Sequence, residues 1–281
     1  MRSDPQPVTH RRNEALRYWR HHDLGEATLV AARYGPFTWE KHVHDEQVVV
    51  LSERGAGEVR TRRGVEIGGA GTIWVFAPGE YHYGRVEDGR TWHYRALYLE
   101  RNALEAIATQ LGTSSSDRLL KPGLHHDPWL ARMLLRAHAS DGVDAATEQV
   151  AWNDALSALF ARYGDPRRVP APAGADRPAV QRARDYIAEH FRDTISVEDL
   201  ARLVNVSRYH FIRAFRLEYG MPPHAYLNQV RVQHARRLLL TGRTAAEAAA
   251  ASGLYDQSRL NHLFKRVYGV TPAQYAHPIN V

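Results

Sequence analysis

Cysteine is absent from the 281-residue sequence, so the chain cannot form a disulfide bond. This absence excludes the disulfide-stapled secreted folds and fits a reducing compartment. The sequence also lacks an apolar stretch of about 18 residues, the length that a membrane-spanning helix requires. Its first residues are polar and charged and do not follow the pattern of a secretory signal. We therefore expect a cytoplasmic protein without a membrane partner.

Positive charge is distributed unevenly along the chain. The formal net charge is +6 at pH 7. Residues 176–281 hold 15 Lys and Arg against 9 Asp and Glu, whereas residues 1–175 hold 22 of each sign. An excess of cations confined to one segment is typical of a domain that binds phosphate groups. A solvated basic surface would have the same composition, so charge alone does not decide between the two.

The basic segment contains an internal repeat with a spacing of 49 residues. The pattern F-x-x-x-Y-G-x-x-P-x-x-Y begins at Phe215 and recurs at Phe264. Ser207 and Asp256, each eight residues before the repeated phenylalanine, predict a helix N-terminus in both copies. An apolar helical pattern and a short break precede each of them. The sequence therefore predicts two helix-turn-helix units, at about 196–218 and 244–268.

The segment between the two units contains neither glycine nor proline from Ala225 to Leu240. Its apolar residues recur at helical spacing, and Thr241-Gly242 ends the pattern. We predict a rigid connecting helix. If this helix holds the two units about 34 Å apart on one side of the protein, their second helices can enter successive major grooves of B-DNA.

The candidate DNA-reading side chains lie on the second helix of each unit. They are the side chains that point away from the core when the apolar stripe of the helix packs into it. In the first unit they are Arg208, Tyr209, Ile212, Arg213 and Arg216. In the second unit they are Gln257, Ser258, Arg259, Asn261, His262 and Lys265.

Arg213 is the strongest candidate for base recognition, because a guanidinium group can bond O6 and N7 of guanine together. Arg259 and Asn261 are further candidates for base reading. Lys265 and Arg266 are better suited to phosphate contacts, which position a protein on DNA without reading its sequence. For any single arginine, an ordinary solvated charge is the alternative.

The basic domain resembles the AraC/XylS family of transcription regulators over about residues 180–276. The resemblance rests on Leu200-Ala201, on Asn205-Val206-Ser207, on the Ala-Arg-Arg-Leu-Leu run at 235–239 and on residues 264–275. It implies binding to double-stranded promoter DNA and recruitment of RNA polymerase, as an activator rather than a repressor. Ala245, Ala248 and Leu254 replace larger residues that the family commonly has. We therefore expect the second unit to have a small core.

The first half of the chain is predicted to be a separate β-rich domain. The proline-rich segment 166–178 predicts a linker between domains at 1–165 and 179–281. Strands are predicted at 28–34, 47–52, 57–61, 72–76 and 92–99, separated by glycine-rich turns, which favours an antiparallel barrel or sandwich. Helices are predicted near 102–110, 127–138 and 145–162. The apolar side of the last helix either packs on the barrel or forms a dimer interface.

Histidines in this half resemble those of cupin barrels. His42 and His44 lie just before a predicted strand, and His82 ends the run Pro-Gly-Glu-Tyr-His. Three histidines can bind zinc, and in metal-dependent cupins such residues are ligands. The carboxylate that those enzymes place four or five residues after the second histidine is absent, because Val48 and Val49 occupy these positions. We therefore expect no metal, no cofactor and no catalysis.

The family resemblance instead implies a pocket for a small-molecule effector. Its candidate residues are His42, His44, His82, Trp92, Tyr94 and Arg95, although aromatic side chains on alternating strand positions also fit an ordinary core.

The sequence thus predicts an α+β regulator with two domains, acting as a homodimer. An N-terminal antiparallel cupin-like β-barrel with trailing helices precedes an all-α tandem helix-turn-helix domain. One alternative is a metal-dependent cupin enzyme fused to a DNA-binding domain. The other is a constitutive DNA-binding protein whose barrel only dimerises.

Overall fold

A computed structural model describes residues 15–21, 24–25, 27–110, 119–140, 145–165 and 177–276. Within these residues the first domain is a β-barrel with trailing helices. Its elements are β1 (Ala15–His21), β2 (Ala27–Tyr34), β3 (Phe37–His42), β4 (Gln47–Thr61), β5 (Gly64–Gly69), β6 (Thr72–Phe76), β7 (His82–Val86), β8 (Trp92–Leu99), α1 (Arg101–Gln110), β9 (Leu119–Leu120), β10 (Gly123–His126), α2 (Pro128–Ala139), α3 (Ala145–Tyr163) and β11 (Gly164–Asp165).

The strands pair antiparallel and fold over into a barrel. The main sheet has the order β1-β2-β8-β4-β6-β10, while β7 joins β3 to β4 on the other side and β5 also pairs with β4. A short second sheet pairs β9 with β11. This architecture confirms the predicted antiparallel, sheet-rich domain.

Strand β4 links the two sides of the barrel. The sequence predicts two strands here, at 47–52 and 57–61, and this prediction is wrong: one strand runs from Gln47 to Thr61 with a register shift between Ser52 and Arg54. Gly55 lies at φ 72°, where a Cβ atom would be 1.9 Å from the carbonyl oxygen of Thr91. Glycine therefore allows the strand to bend and stay paired where a turn was expected.

Side-chain alternation along the strands divides the apolar residues between two cores. Val48 and Val50 belong to the core inside the barrel, whereas Val49 and Leu51 belong to the core on its outer face. There, α3 buries Leu156 and Leu159 against the sheet and α2. The apolar side of α3 therefore packs on the barrel, which was the first of its two interpretations.

The second domain is helical. Its elements are α4 (Arg177–His190), α5 (Val197–Leu203), α6 (Arg208–Tyr219), α7 (Pro223–Leu240), α8 (Ala245–Ala251), α9 (Gln257–Tyr268) and α10 (Pro272–Ala276). Helices α5 and α6 form the first helix-turn-helix unit, α8 and α9 form the second, and α7 connects them, as predicted. Arg177 and Pro178, which were assigned to the linker, lie in the first turn of α4, and residues 166–176 lie outside the described residues.

The internal repeat encodes the same helix ends twice. The side chains of Ser207 and Asp256 accept hydrogen bonds from the backbone N–H groups of His210 and Arg259, at 3.3 and 2.7 Å. Left-handed glycines, Gly220 and Gly269, end the two helices at φ 71° and 74°. These matched caps fix the length of the second helix of each unit.

The helical domain packs against the mouth of the barrel through a buried ion pair. Glu46 follows β3 and Arg236 lies in α7, and each side chain is 1% exposed. The guanidinium group of Arg236 also lies over the rings of Tyr98 and Tyr268, at 5.0 and 6.0 Å from their centres. A buried charge requires a partner, so the pair fixes how α7 sits on the barrel.

Contacts at the edge of this interface support the same arrangement. The side-chain amide of Gln233 donates to the carbonyl oxygen of Val43 at 2.5 Å, and Lys41 Nζ donates to the carbonyl oxygen of Gly220 at 3.1 Å. A Cβ atom at Gly220 would lie 2.2 Å from the ring of Tyr81. The absence of a side chain at Gly220, which ends α6, thus leaves room for the ring of Tyr81 from the barrel.

No helix in the described part of the chain is long and apolar enough to cross a membrane.

Substitution at the buried pair should destabilise the whole chain. Arg236→Met leaves the Glu46 carboxylate buried and unpaired, and we expect a loss of about 3–5 kcal/mol in the free energy of unfolding. The double variant Glu46→Gln/Arg236→Met should lose less, because it removes the uncompensated charge. Urea unfolding followed by tryptophan fluorescence measures both values.

The neighbouring substitution Arg237→Met is the matched control. Arg237 is 38% exposed and pairs with Glu100 at 3.3 Å, so we expect a loss of about 0–1 kcal/mol. Equal losses for Arg236→Met and Arg237→Met would contradict a special role for the buried pair.

Candidate functional site

A cavity of about 60 Å³ lies inside the barrel. Aromatic and histidine side chains form most of its wall. The lining residues are Tyr18, Tyr34, Trp39, His42, His44, Val48, Val50, Val59, Phe76, His82, Tyr83, Gly84, Trp92, Tyr94, Tyr98, Val267 and Tyr268. The last two belong to the C-terminal end of α9. The helical domain therefore closes part of the cavity.

Five of the six predicted pocket residues line this cavity: His42, His44, His82, Trp92 and Tyr94. The prediction for the sixth residue, Arg95, is wrong, because its side chain does not line the cavity. Side chains alternate along β8, so Arg95 lies on the other face of the sheet. There its guanidinium group is 3.4 Å from Nδ1 of His138 and 3.5 Å from the carboxylate of Glu53.

The three histidines form one compact group. Their ring centres are 4.4 to 5.1 Å apart, and all three side chains are buried. Nδ1 of His42 is 2.6 Å from the carbonyl oxygen of Glu40, and Nδ1 of His82 is 3.2 Å from that of Glu80. A carbonyl oxygen only accepts, so both Nδ1 atoms carry the proton, and each Nε2 keeps a free lone pair. Nδ1 of His44 has no hydrogen-bond partner among the described residues.

Burial lowers the pKa of all three histidines. The neighbouring imidazoles and Arg236 lower the pKa of His44 further, and His42 does the same for His82. The group is therefore neutral near pH 7 and offers nitrogen lone pairs. Such a group can accept hydrogen bonds from a ligand or coordinate a metal ion.

Nearby carboxylates are not available to this group. Glu46, which lies two residues beyond His44, is held by Arg236. Val48 and Val49 occupy the two positions where metal-dependent cupins place a carboxylate. Val48 lines the cavity, and Val49 faces the outer core. Among the described lining residues there is no Asp or Glu.

Six tyrosines also line the cavity, and Tyr94 is the one among them that the sequence predicted. Tyr34 donates from its hydroxyl to the carbonyl oxygen of Tyr268 at 3.1 Å, which joins β2 to α9. Burial raises the pKa of Tyr98 to about 12, so it remains a neutral hydroxyl. Tyr98 could have been found, because it continues the alternation of Trp92 and Tyr94 on β8. Tyr34 and Tyr268 carry no comparable local signal.

The second helices of both units expose most of the predicted DNA-reading side chains. Exposed residues are Arg208, Tyr209, Arg213 and Arg216 on α6, and Gln257, Ser258, Arg259, His262 and Lys265 on α9. Ile212 and Asn261 are half-buried. Nε of Arg208 pairs with Glu198 of α5 at 2.8 Å, so this cation is partly neutralised within its own unit.

Arg266 is engaged by the barrel. It was predicted as a phosphate contact, but its guanidinium group pairs with Glu40 of β3. Arg266 thus reaches across to the barrel, although its side chain is exposed, as is that of Lys265 one position earlier.

A groove between α7, the α4–α5 connection and the second unit contains cations outside the predicted DNA-reading set. Arg192 and Arg231 are the two that the sequence did not select, and the predicted residue Arg259 lines the groove with them. Arg231 donates to the carbonyl oxygens of Phe191 and Asp193 at 2.7 and 2.8 Å, so it also ties α7 to the end of α4. Neither Arg192 nor Arg231 lies on a predicted reading helix: Arg192 follows α4, and Arg231 lies in α7.

A ligand-binding barrel joined to two helix-turn-helix units defines a transcription regulator. Comparison with protein families agrees: residues 25–153 match the AraC-like ligand binding domain, and residues 200–277 match a helix-turn-helix domain. The chain belongs to the AraC family of DNA-binding transcription regulators.

Two curated relatives extend through both domains. The uncharacterized HTH-type transcriptional regulator YbfI of Bacillus subtilis is 26% identical over 234 residues, which cover 78% of this chain and 80% of that protein. The arabinose operon regulatory protein of Escherichia coli is 24% identical over 233 residues, covering 81% and 79%. Among solved structures, apo ToxT from Vibrio cholerae aligns with a TM-score of 0.58 at 11% identity, over 90% of this chain and 98% of ToxT. This structural likeness shows a shared two-domain fold.

Substitution of a base-reading residue and substitution of a phosphate-contacting residue should have different effects on the affinities for operator and random DNA. Arg213→Ala and Arg259→Ala should each reduce discrimination between operator and random DNA, by about 1–3 kcal/mol where the arginine contacts a guanine. Lys265→Ala should weaken binding to both kinds of DNA similarly, because a phosphate contact carries no sequence information. Fluorescence anisotropy with labelled operator and random duplexes measures both affinities.

Arg132→Ala is the matched control, since Arg132 is an exposed arginine on α2 of the barrel domain. We expect it to bind both duplexes like the parent chain. Equal losses on operator and random DNA for Arg213→Ala would reassign that residue to the phosphate backbone.

Proposed function

We propose that this regulator reads promoter DNA with α6 and α9 and that a small molecule in the barrel cavity controls the position of α9. The observation that carries this proposal is that one helix, α9, belongs both to the cavity wall and to the predicted DNA-reading surface. Val267 and Tyr268 belong to the cavity wall, while Gln257, Ser258 and Arg259 are exposed at the other end of the same helix. A ligand that moves one end of a rigid helix also moves the other.

The helical domain has the features expected for binding two successive major grooves. Helix α7 contains 18 residues and is therefore about 27 Å long, comparable with one turn of B-DNA. Its ends are anchored to both units, because Tyr226 packs in the core of the first unit and Leu239 in that of the second. Arg213 and Arg259 then approach separate grooves as candidate base readers.

The size of the cavity indicates how an effector would act. Ligand pockets usually enclose about 300–1,000 Å³, whereas this cavity encloses about 60 Å³. A metabolite therefore fits only if part of the wall moves. Ladder hydrogen bonds hold the sheet walls, whereas side-chain contacts, the Tyr34 hydrogen bond and the ion pair between Arg266 and Glu40 hold the α9 wall. We infer that the effector displaces α9, because it can bind only the form in which the cavity is enlarged.

An effector-binding role fits the cavity better than catalysis does. The walls offer neutral histidines and phenols, which can hydrogen-bond to a small molecule between apolar ring faces. The homologous proteins are transcription regulators, which also supports a role without catalysis.

We further propose that the chain acts as a cytoplasmic homodimer that recruits RNA polymerase as an activator. Family membership supports this extension. On α3, Val150 is 59% exposed on the side turned away from the barrel, which makes that side a candidate dimer surface.

DNA binding should reside in the C-terminal fragment. Residues 176–281 alone should bind promoter DNA, with an affinity that falls steeply as salt concentration rises, because phosphate contacts release counterions. Gel shifts at increasing salt, with residues 1–175 as the control, measure this. A folded fragment without affinity at low salt, combined with binding by residues 1–175, would show that the domains are assigned wrongly.

Effector binding should depend on the cavity histidines and not on Arg95. Once a thermal-shift screen of metabolites has identified a ligand, His44→Ala and His82→Ala should weaken its binding in calorimetry. Operator binding by the ligand-free variants should remain close to that of the parent chain. Arg95→Ala is the control, since Arg95 lies outside the cavity, and it should keep full ligand affinity. Folded histidine variants with unchanged ligand affinity would exclude this group as the sensor.

A further inference from the structure

The histidine group in the cavity has the donor set of a metal site. One ring nitrogen from each of His42, His44 and His82 can be chosen so that the three atoms lie within 4.8 Å of one another. In a tetrahedral zinc site with Zn–N bonds of about 2.1 Å, ligand nitrogens are about 3.4 Å apart. Each ring therefore needs to move by less than about 1 Å to reach that geometry.

Two of the histidines are oriented as metal ligands usually are. A ligating histidine commonly donates its second ring N–H to a backbone carbonyl, which fixes the tautomer and the ring orientation. His42 makes this bond to Glu40 and His82 makes it to Glu80, so the Nε2 lone pair of each is available for coordination. In both cases the accepting carbonyl belongs to the residue two positions earlier in the chain, so the two rings are supported in the same way.

The third histidine provides an independent observation. His44 is 4% exposed, and its Nδ1 atom has no hydrogen-bond partner among the described residues. Its ring lies 5.0 Å from that of His42 and 5.1 Å from that of His82. A buried polar group that lacks a partner is unfavourable, and coordination of a metal by this imidazole would supply one.

The chemistry of the surroundings selects the type of metal. Neutral imidazoles suit zinc, copper, iron and nickel, whereas calcium and magnesium require oxygen ligands. The buried cation Arg236 is paired with Glu46, so the Glu46 carboxylate offsets part of the repulsion between Arg236 and a bound metal ion. The described cavity lining has no carboxylate and no cysteine that could complete the coordination.

We propose that His42, His44 and His82 bind one divalent transition-metal ion, most suitably Zn²⁺, with one coordination position open to the cavity. A three-histidine site leaves that position for water or for a donor atom of a ligand. The open position faces a space walled by phenol rings and by Val267 and Tyr268 of α9. The site therefore favours small effectors with a carboxylate or hydroxyl oxygen that can coordinate the metal.

This inference corrects the expectation drawn from the missing carboxylate. A fourth protein ligand is not needed, since three histidines and one exogenous ligand complete a tetrahedron. The effector class rests on the proposed function, because metal and effector would share one cavity. The metal site itself does not, since it can be tested without DNA or effector.

Metal content of the purified full-length chain is the first test. The protein is stripped with a chelator, reloaded with Zn²⁺ or Co²⁺, and freed of excess metal. We expect about one metal per chain by elemental analysis, a higher melting temperature on reloading, and the visible absorption of tetrahedral Co²⁺. Absence of bound metal together with an unchanged melting temperature would overturn the proposal.

Variants then locate the ion. His44→Ala and His82→Ala should each lose the bound metal and the metal-dependent rise in melting temperature. Tyr94→Phe, which alters the same cavity without removing an imidazole, should retain both. Metal retained at full stoichiometry in the folded histidine variants would place it elsewhere and overturn the proposal. If the variants do not fold, X-ray absorption spectroscopy of the Zn²⁺-loaded parent chain decides, because fewer than three imidazole ligands contradicts the site.

The metal site can be correct even if the effector class or the proposed function is wrong. If metal binds at the three histidines but leaves the affinity for an identified effector unchanged, the metal site stands and the effector class is wrong. If metal binds and operator DNA does not, the metal site stands and the proposed function fails.

Discussion

The arrangement of the two domains depends on the buried pair formed by Glu46 and Arg236. Both charges are almost fully removed from water, so each is tolerable only while the other is in place. Arg236 lies in the C-terminal third of α7, the helix that connects the two DNA-reading units, and its guanidinium group lies over the rings of two tyrosines of the cavity wall. One side chain thus touches the connector, the barrel and the cavity. A displacement of the helical domain from the barrel must break or rebuild this pair, which favours two discrete arrangements over gradual motion.

The second unit, rather than the first, shares its apolar core with the barrel interior. Ala248 and Leu254 fill less space than the residues that the family commonly has, and the core continues into the barrel. The rings of Tyr18 on β1 and Tyr275 on α10 are 4.0 Å apart, and Tyr34 bonds the end of α9. The first unit has its own cluster around Phe211 and Phe215, which, among the described buried residues of the barrel, only Val43 joins. Under the proposed mechanism, a ligand in the cavity would therefore act mainly through the second unit.

Local features of the structure could be predicted from the sequence, whereas contacts between distant residues could not. Helix caps, the 49-residue repeat and strands β6 and β8 depend on neighbouring residues, and all were found at the right positions. Strand β3 was missed because Glu40 and Lys41 interrupt its pattern; both serve the interface with the helical domain. Arg95 was misplaced because its role in a pocket was inferred from its charge rather than from the alternation along β8. Glu46 and Arg236 are 190 positions apart, and no local pattern connects them. The histidine group was found because cupin spacing is itself a local motif.

The central claim is that α9 closes the cavity and moves when the cavity is occupied. The absence of cysteine makes a direct test simple, because Thr38→Cys on β3 and Ala273→Cys on α10 would be the only labelling sites, and both positions are exposed. Pulsed electron resonance between spin labels at these positions measures the distance between the barrel and the second unit. In the ligand-free protein we expect one narrow distance distribution, and saturation with a cavity ligand that alters operator affinity should shift it to longer distances. An unchanged distribution under that ligand would contradict the account.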